Sequence, residues 1–297
     1  MIYTITLNPA IDYTVHVDAL CEGQIIRGEK ESVFFGGKGI NVSNVLNELG
    51  VANTAMGFVA GFTGDAIEKW LSDKGIASDF VKLENGFSRI NVKIRSKKET
   101  DINGKGPDIS EENLNSLLEK LDRVTYGDTV VLAGSIPPTV PSDIYERIMK
   151  RLEGKNVKFA VDATGDLLLK TLKYRPFLIK PNKDELSEIF SCEISTNDDI
   201  VKYATILTEQ GAKNVLVSLG SYGAILLDET GKSHYMEAHK GNTVNTVGAG
   251  DSMVAGFIAG YEATGDYEYA LKLGTAAGSA TAFCEGIATE KDIKAIL

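Results

Sequence analysis

The segment Asn245-Thr-Val-Gly-Ala-Gly-Asp-Ser252 runs into an apolar helical pattern carried by Met253, Val254, Phe257 and Ile258. Gly248 and Gly250 carry no side chain, so an anion can approach the backbone amides closely. Those amides sit where a helix begins, and its unpaired N–H groups and dipole favour negative charge there. Asp251, in the first turn beside them, is placed to accept the proton of an attacking hydroxyl. The same position equally suits an aspartate that only compensates the helix dipole. Two look-alike motifs fail. Gly231-Lys232-Ser233 has Leu226 where a Walker A loop needs its first glycine, and Met253 occupies the third glycine position of a dinucleotide fingerprint.

Four further segments carry candidate chemistry. Phe35-Gly-Gly-Lys-Gly-Ile-Asn41 opens another helix, with Lys38 as a point charge for a phosphate and Asn41 as donor and acceptor. A purely structural glycine turn is the alternative. Ser88-Arg-Ile-Asn-Val-Lys93 puts Arg89, Asn91 and Lys93 on one strand face, which a solvated edge strand would also do. In Lys180-Pro-Asn-Lys-Asp-Glu185, Asn182 and Glu185 lie three apart at a helix start. They could organise a hydrated magnesium ion or form an Asn cap with Glu in the first turn. Val217-Ser-Leu-Gly-Ser-Tyr-Gly223 is a strand entering a glycine turn, suited to a nucleotide or to a hairpin.

Elements that would position these groups are legible in the periodicity. Residues 2–8 alternate as a strand, 39–49 read as a helix closed by Gly50, and 51–58 form an apolar run. Thr63 is expected to cap a helix carrying Ile67, Trp70 and Leu71, and Ser110 one carrying Leu114, Leu117, Leu118 and Leu121. Thr129–Ala133, Val157–Val161, Phe177–Ile179 and Val215–Leu219 are short apolar runs with helical segments between them. That alternation implies a three-layer α/β core around a mainly parallel sheet. Within residues 11–35 and 86–105 the alternating patterns lack an intervening helix and predict a small antiparallel sheet able to close over a cleft. No linker divides the chain, so residues 1–297 read as a single domain.

Composition narrows the class. With 31 Lys and Arg against 41 Asp and Glu, the net charge of −10 disfavours nucleic acid as a partner. No run of eighteen apolar residues and no basic-then-apolar leader is present, and the three dispersed cysteines form no CxxC pair. A cytoplasmic protein without disulfides or membrane association is expected.

Taken in order, these segments resemble the ribokinase-like sugar kinases of the phosphofructokinase-B family, over essentially the whole chain. The signatures are Gly36-Gly37-Lys38-Gly39-Ile40-Asn41, Asn182-x-x-Glu185 and Thr246-Val-Gly-Ala-Gly-Asp251. Within the family the chain looks most like the bacterial 1-phosphofructokinases, through Thr6-Leu-Asn-Pro-Ala-Ile-Asp12, the Ser88–Lys93 strand and Thr100-Asp-Ile-Asn-Gly-Lys-Gly-Pro107. The resemblance implies a ribokinase-like sandwich with a β-sheet lid, and ATP-dependent phosphorylation of fructose 1-phosphate. It implies Asp251 as proton acceptor, with Gly248, Ala249 and Gly250 as the anion hole. Asp12, Gly37, Lys38, Asn41, Arg89 and Ser135 would hold the sugar phosphate. Lys180, Asn182, Ser218, Gly220, Gly223 and Ser279 would contact ATP. Glu185, with Asn182, would order Mg²⁺ through water, and Asn245 and Gly286 fall near a potassium site. Open edges on the lid invite pairing into a homodimer. Tagatose-6-phosphate kinase and 6-phosphofructokinase need the same machinery. The other-class readings are a dinucleotide-binding oxidoreductase and a catalytically silent sugar-phosphate sensor.

Overall fold

The computed structural model describes all residues, Met1–Leu297. Strand β1 (Ile2–Thr6) leads to β2 (Ala10–His16), β3 (Lys30–Gly36), α1 (Lys38–Glu48), β4 (Asn53–Ala60), α2 (Gly61–Asp73) and β5 (Ala77–Leu83). Then come β6 (Arg89–Arg95), β7 (Glu99–Asn103), α3 (Glu111–Lys120), β8 (Thr129–Ala133), α4 (Ile144–Arg151) and β9 (Lys158–Asp162). Next are α5 (Gly165–Thr171), β10 (Leu178–Ile179), α6 (Lys183–Phe190), α7 (Asn197–Glu209) and β11 (Asn214–Ser218). A hairpin of β12 (Ala224–Leu227) and β13 (Ser233–Met236) precedes α8 (Ala249–Thr264), α9 (Tyr267–Ala282) and α10 (Glu290–Lys294).

Nine strands form the large sheet in the order β13-β12-β11-β10-β9-β8-β1-β4-β5. Every pairing from β11 to β5 is parallel, and β12 and β13 add an antiparallel edge. Its strands are apolar on both faces, and the period of two sends alternate residues to different cores. Val130 and Leu132 of β8 join a cluster of 37 buried residues, whereas Val131 and Ala133 join one of 26. Two helical layers cover the sheet, α3–α7 on one face and α1, α8 and α9 on the other. This is the three-layer α/β arrangement expected. No helix is long and apolar enough to cross a membrane.

The expected first strand, β1, is buried along its whole length, because it lies between β4 and β8. Two local expectations need correction. Thr63 does not cap α2. The helix starts at Gly61, three residues earlier than a Thr63 cap would give, after an extended Ala60, and the buried Thr63 hydroxyl donates to the Ser88 carbonyl at 2.8 Å. Ser88 in turn accepts from the Ala60 amide at 3.0 Å, so this residue fastens the start of β6 to the end of β4. Ser110, by contrast, forms the expected cap, in a capping box with Asn113.

The second sheet, in the order β3-β2-β6-β7, is mixed rather than antiparallel. Strands β2 and β6 run parallel, with Ala10 opposite Arg89 and His16 opposite Arg95. The long crossover through α1, β4, α2 and β5 permits that direction, which a hairpin could not.

Gly57 shows how tightly β4 packs on β1. Its φ is +139°, and a Cβ there would lie 1.9 Å from the Thr6 carbonyl oxygen, a backbone atom in a central strand that cannot yield. Gly57→Ala is therefore expected to cost more than ~3 kcal/mol. Urea denaturation checks this: the midpoint should fall with the slope unchanged. An unmoved midpoint would show that the strands relax.

Candidate active site

The carboxyl ends of the parallel strands converge on one side of the sheet, the usual place for a ligand crevice in such folds. Asp162 ends β9, Lys180 follows β10, Ser218 ends β11, and Ser135 follows β8. Helices α1 and α8 start on the same side and pack against each other.

Gly248, with φ +84°, turns the chain into α8. A Cβ there would lie 2.5 Å from Ile287 Cδ1, so the left-handed turn and the close packing both require glycine. The N–H groups of Gly248, Gly250 and Asp251 find no acceptor within the protein, whereas that of Ala249 donates to the Thr246 carbonyl at 3.2 Å. Three free donors thus stand at the positive end of a sixteen-residue helix. Of the three residues expected as an anion hole, Ala249 has its amide already engaged.

Asp251 is 5% exposed, and its Oδ2 accepts a 2.8 Å hydrogen bond from Asn41 Nδ2. A dipole-compensating aspartate would sit in solvent, and this one does not. Burial pushes its pKa up to about 6, helped by the negative charge of Asp162 and opposed by Lys38, the Asn41 hydrogen bond and Lys180.

Asp162, which sequence reasoning missed, is the centre of the charged cluster. It is 1% exposed, with Lys38 Nζ 3.0 Å from Oδ2 and Lys180 Nζ 3.3 Å from Oδ1. Burial alone would raise its pKa, but Lys180 and Lys38 outweigh it and hold the carboxyl below its ordinary range. Lys38 shows the converse: burial disfavours its charge, yet Asp162, then Asp251, raise its pKa above the usual lysine value. Lys180 lies against the start of α8, with Nζ 3.3 Å from where a Cβ on Gly250 would be. A signal for Asp162 does exist in the sequence. It is a lone carboxylate closing an otherwise apolar strand run, at the strand end that faces ligands.

Two cavities open beside this cluster. Lys38, Arg89, Ser135, Gly37, Asn8 and Thr6 are among the lining of one of about 260 Å³. Burial lowers the pKa of the Arg89 guanidinium, with Asp12 opposing, and its Nε is buried without a hydrogen-bond partner. The other, of about 1150 Å³, lies between the second sheet and residues 243–247 and 285–287. Asp12, Asn41 and Lys93 border it. The one-faced strand pattern acquires a specific job here. Asn91 Nδ2 donates to Asp12 Oδ1 at 2.7 Å and Lys93 Nζ lies 3.3 Å from Asp12 Oδ2, so both hold Asp12 in place. Arg89, on the same face, points to the smaller cavity instead.

The remaining candidates share no hydrogen bond with the Asp251 cluster. Asn182 caps α6 in a capping box: Glu185 Oε2 accepts from the Asn182 amide at 2.8 Å, and the Glu185 amide donates to Asn182 Oδ1 at 2.8 Å. The cap reading therefore holds, and it leaves Glu185 Oε1 outside the box, within electrostatic reach of Lys38. Ser218 pairs with Ala224 across a hairpin whose turn holds Gly220 and Gly223. Ser279 accepts from the His239 amide at 3.2 Å. Asn245 Nδ2 donates to the Glu285 carbonyl at 2.9 Å while its Oδ1 accepts from the Val247 amide at 3.0 Å, and Gly286 follows directly.

A family model described as pfkB family carbohydrate kinase matches residues 5–294. The chain belongs to this family. Its relatives include a 1-phosphofructokinase of Bacillus subtilis (strain 168), 44% identical over the whole chain and 97% of that protein. A D-tagatose-1-phosphate kinase of Bacillus licheniformis is 40% identical, over 97% of this chain and 94% of that one. Phosphofructokinase-2 from Escherichia coli, solved in complex with substrates and products, superposes with a TM-score of 0.93 at 28% identity over 99% and 97% of the two chains. Its complex with potassium superposes at 0.92, with the same identity and coverage. This carbohydrate kinase accordingly has the ribokinase-like fold, and the oxidoreductase reading is set aside.

Proposed function

We propose that this kinase transfers the γ-phosphoryl group of ATP to the free terminal hydroxyl of fructose 1-phosphate, giving fructose 1,6-bisphosphate and ADP. The observation that carries the reading is the buried Asp251, bonded to Asn41 beside three free amides and flanked by Lys38 and Lys180. Phosphoryl transfer asks mainly for positioning and charge stabilisation, because the transition state spreads charge over the equatorial oxygens. The amides of Gly248, Gly250 and Asp251, with the two lysines, supply donors at that point. The acceptor oxygen attacks phosphorus, the bond to the β-phosphate bridging oxygen breaks, and the acceptor proton passes to Asp251. A base with a pKa near 6 is ionised at neutral pH and takes that proton late.

Arg89, Lys38, Ser135 and Gly37 around the smaller cavity would hold the sugar's phosphate, and Asp12 and Asn41 its hydroxyls. Lys180, Asn182, Ser218, Gly220, Gly223 and Ser279 would contact ATP. No cluster of three or more His, Cys, Asp or Glu side chains is arranged to hold a metal. Mg²⁺ would therefore enter with the triphosphate, met through water by Glu185 and Asn182, and would neutralise phosphate charge. For K⁺ the Asn245 side chain is already bonded twice, so backbone carbonyls near Asn245 and Gly286 would be the donors. The second sheet would act as a lid that excludes water, whose phosphorylation is ATP hydrolysis. Val33 and Ile102, exposed on its two edge strands, support its pairing with a second copy in a cytoplasmic homodimer.

A coupled assay of ADP release tests the reading with fructose 1-phosphate, tagatose 1-phosphate, fructose 6-phosphate, tagatose 6-phosphate and free fructose. Fructose 1-phosphate should give the highest kcat/KM. Tagatose 1-phosphate is the second candidate, on the likeness to the Bacillus licheniformis kinase. Comparable kcat/KM on free fructose would overturn the phosphate-binding assignment.

A further inference from the structure

Asp162 lines the smaller cavity as a buried carboxylate joined to two ammonium groups from different parts of the chain. We propose that Asp162 is a positioning residue for phosphoryl transfer, holding Lys38 and Lys180 as a pair of cations beside the amides that open α8. The proposal rests on the catalytic reading of Asp251 and deepens it.

The geometry supports this in three ways. Lysine side chains are flexible point charges with four rotatable carbons, so a lysine aims its charge only where a partner fixes it. Asp162 is 1% exposed, with Lys38 hydrogen-bonded and Lys180 ion-paired to its carboxyl, so water competes little for either contact. The lysines also come from separate elements, Lys38 from the first turn of α1 and Lys180 from just after β10, and only Asp162 forms an ion pair with both. An Asp–Lys pair would be electrically neutral. This arrangement of one carboxylate and two lysines carries one positive charge that offsets the ionised Asp251, so an incoming phosphoryl group at the helix N-terminus meets no net negative charge.

Asp162 has a second consequence, through charge alone. The charged groups facing Asp251 are Lys38 from α1, Asp162 from β9 and Lys180 after β10, and Asp162 is the only anion among them. Its negative charge makes Asp251 a stronger base than two neighbouring lysines would otherwise allow. Removing it should move the titration of Asp251 downward.

The test is Asp162→Asn in the full chain, with kcat and both KM values measured from pH 5 to 9 beside the parent protein. The expected result is a fall in kcat of at least ~10-fold with KM for ATP unchanged or lower, since two lysines then face the triphosphate unneutralised. The acid limb of the kcat profile should move to lower pH. A purely structural role would lower the melting temperature and leave that limb where it was. A kcat within twofold of the parent, or an acid limb that stays or rises, overturns the proposal. Should Asp162→Asn fail to fold, Asp162→Glu decides, because it keeps the charge and displaces it by one methylene. The expectation is then a ~10-fold loss of kcat with the parent's acid limb, and a parental kcat overturns the proposal. If the parent protein itself turns over no sugar phosphate with ATP, the proposed function has failed instead, and the two failures are distinct.

Discussion

Asp251→Asn should lower kcat by ~10²–10⁴ while the protein becomes more stable. The first effect follows from the loss of the group that takes the hydroxyl proton, since general-base catalysis contributes about that range. Substrate binding should survive, because asparagine keeps the size and can still bond Asn41. The second effect follows from burial. Asp251 ionises near pH 6 in the folded protein against an ordinary value of 3.8. A carboxylate with a raised folded-state pKa is neutral in both states at low pH, and stability is lost as pH rises through the folded value. Above pH 6 the ionised group therefore works against folding, by up to about 3 kcal/mol for a rise of roughly two units. The asparagine variant escapes that penalty, so its melting temperature at pH 8 should rise by a few degrees, with the gain shrinking toward pH 4. The parent's kcat/KM should fall below about pH 6 as Asp251 takes a proton, and the variant's residual rate should lack that limb. Near-parental turnover would make Asp251 a structural residue and remove the mechanism. A lower melting temperature at pH 8 would show instead that its ionised form is well stabilised.

The second large effect is expected at Arg89, and it separates the two substrates. Arg89→Ala should raise KM for the sugar phosphate by roughly 10–100-fold, the equivalent of ~1.5–3 kcal/mol of charged hydrogen bonding. KM for ATP should barely move. The physical ground is a guanidinium whose Nε is already buried without a partner, in a cavity that also presents Lys38 and Ser135. A site that holds a desolvated, incompletely bonded cation gains strongly when an anion fills it. Arg89→Lys should recover only part of the loss, because an ammonium cannot bond a phosphate with two parallel donors. Steady-state kinetics with each substrate varied in turn measures this. A rise in KM for ATP with that for the sugar phosphate unchanged would mean that the two sites are reversed.

Much of this architecture is local, and local features are legible in a sequence. The alternation of apolar strand and amphipathic helix depends on neighbours a few residues apart, so the parallel three-layer core could be read directly. The capping boxes at Ser110 and Asn182, and the glycine turn before α8, are likewise set by residues within one turn. What chain spacing could not supply is which of those local features meet. Asn41 and Asp251 are 210 positions apart and Lys38 and Asp162 are 124 apart, yet each pair is in hydrogen-bond contact. The direction of β6 against β2 escaped prediction for the same reason, since the elements between them decide it. Asp184, Asp198 and Asp251 all stand in first helical turns, and sequence spacing treats them alike. Only tertiary packing, which sets Asp251 against Asn41 of α1 and beside Asp162, Lys38 and Lys180, takes it out of water, and desolvation is the first cause of its basicity. Asp162 was overlooked because a single carboxylate at a strand end has no spacing to recognise. Its role arises where Lys38 and Lys180 are brought to it, and that is a property of the folded chain alone.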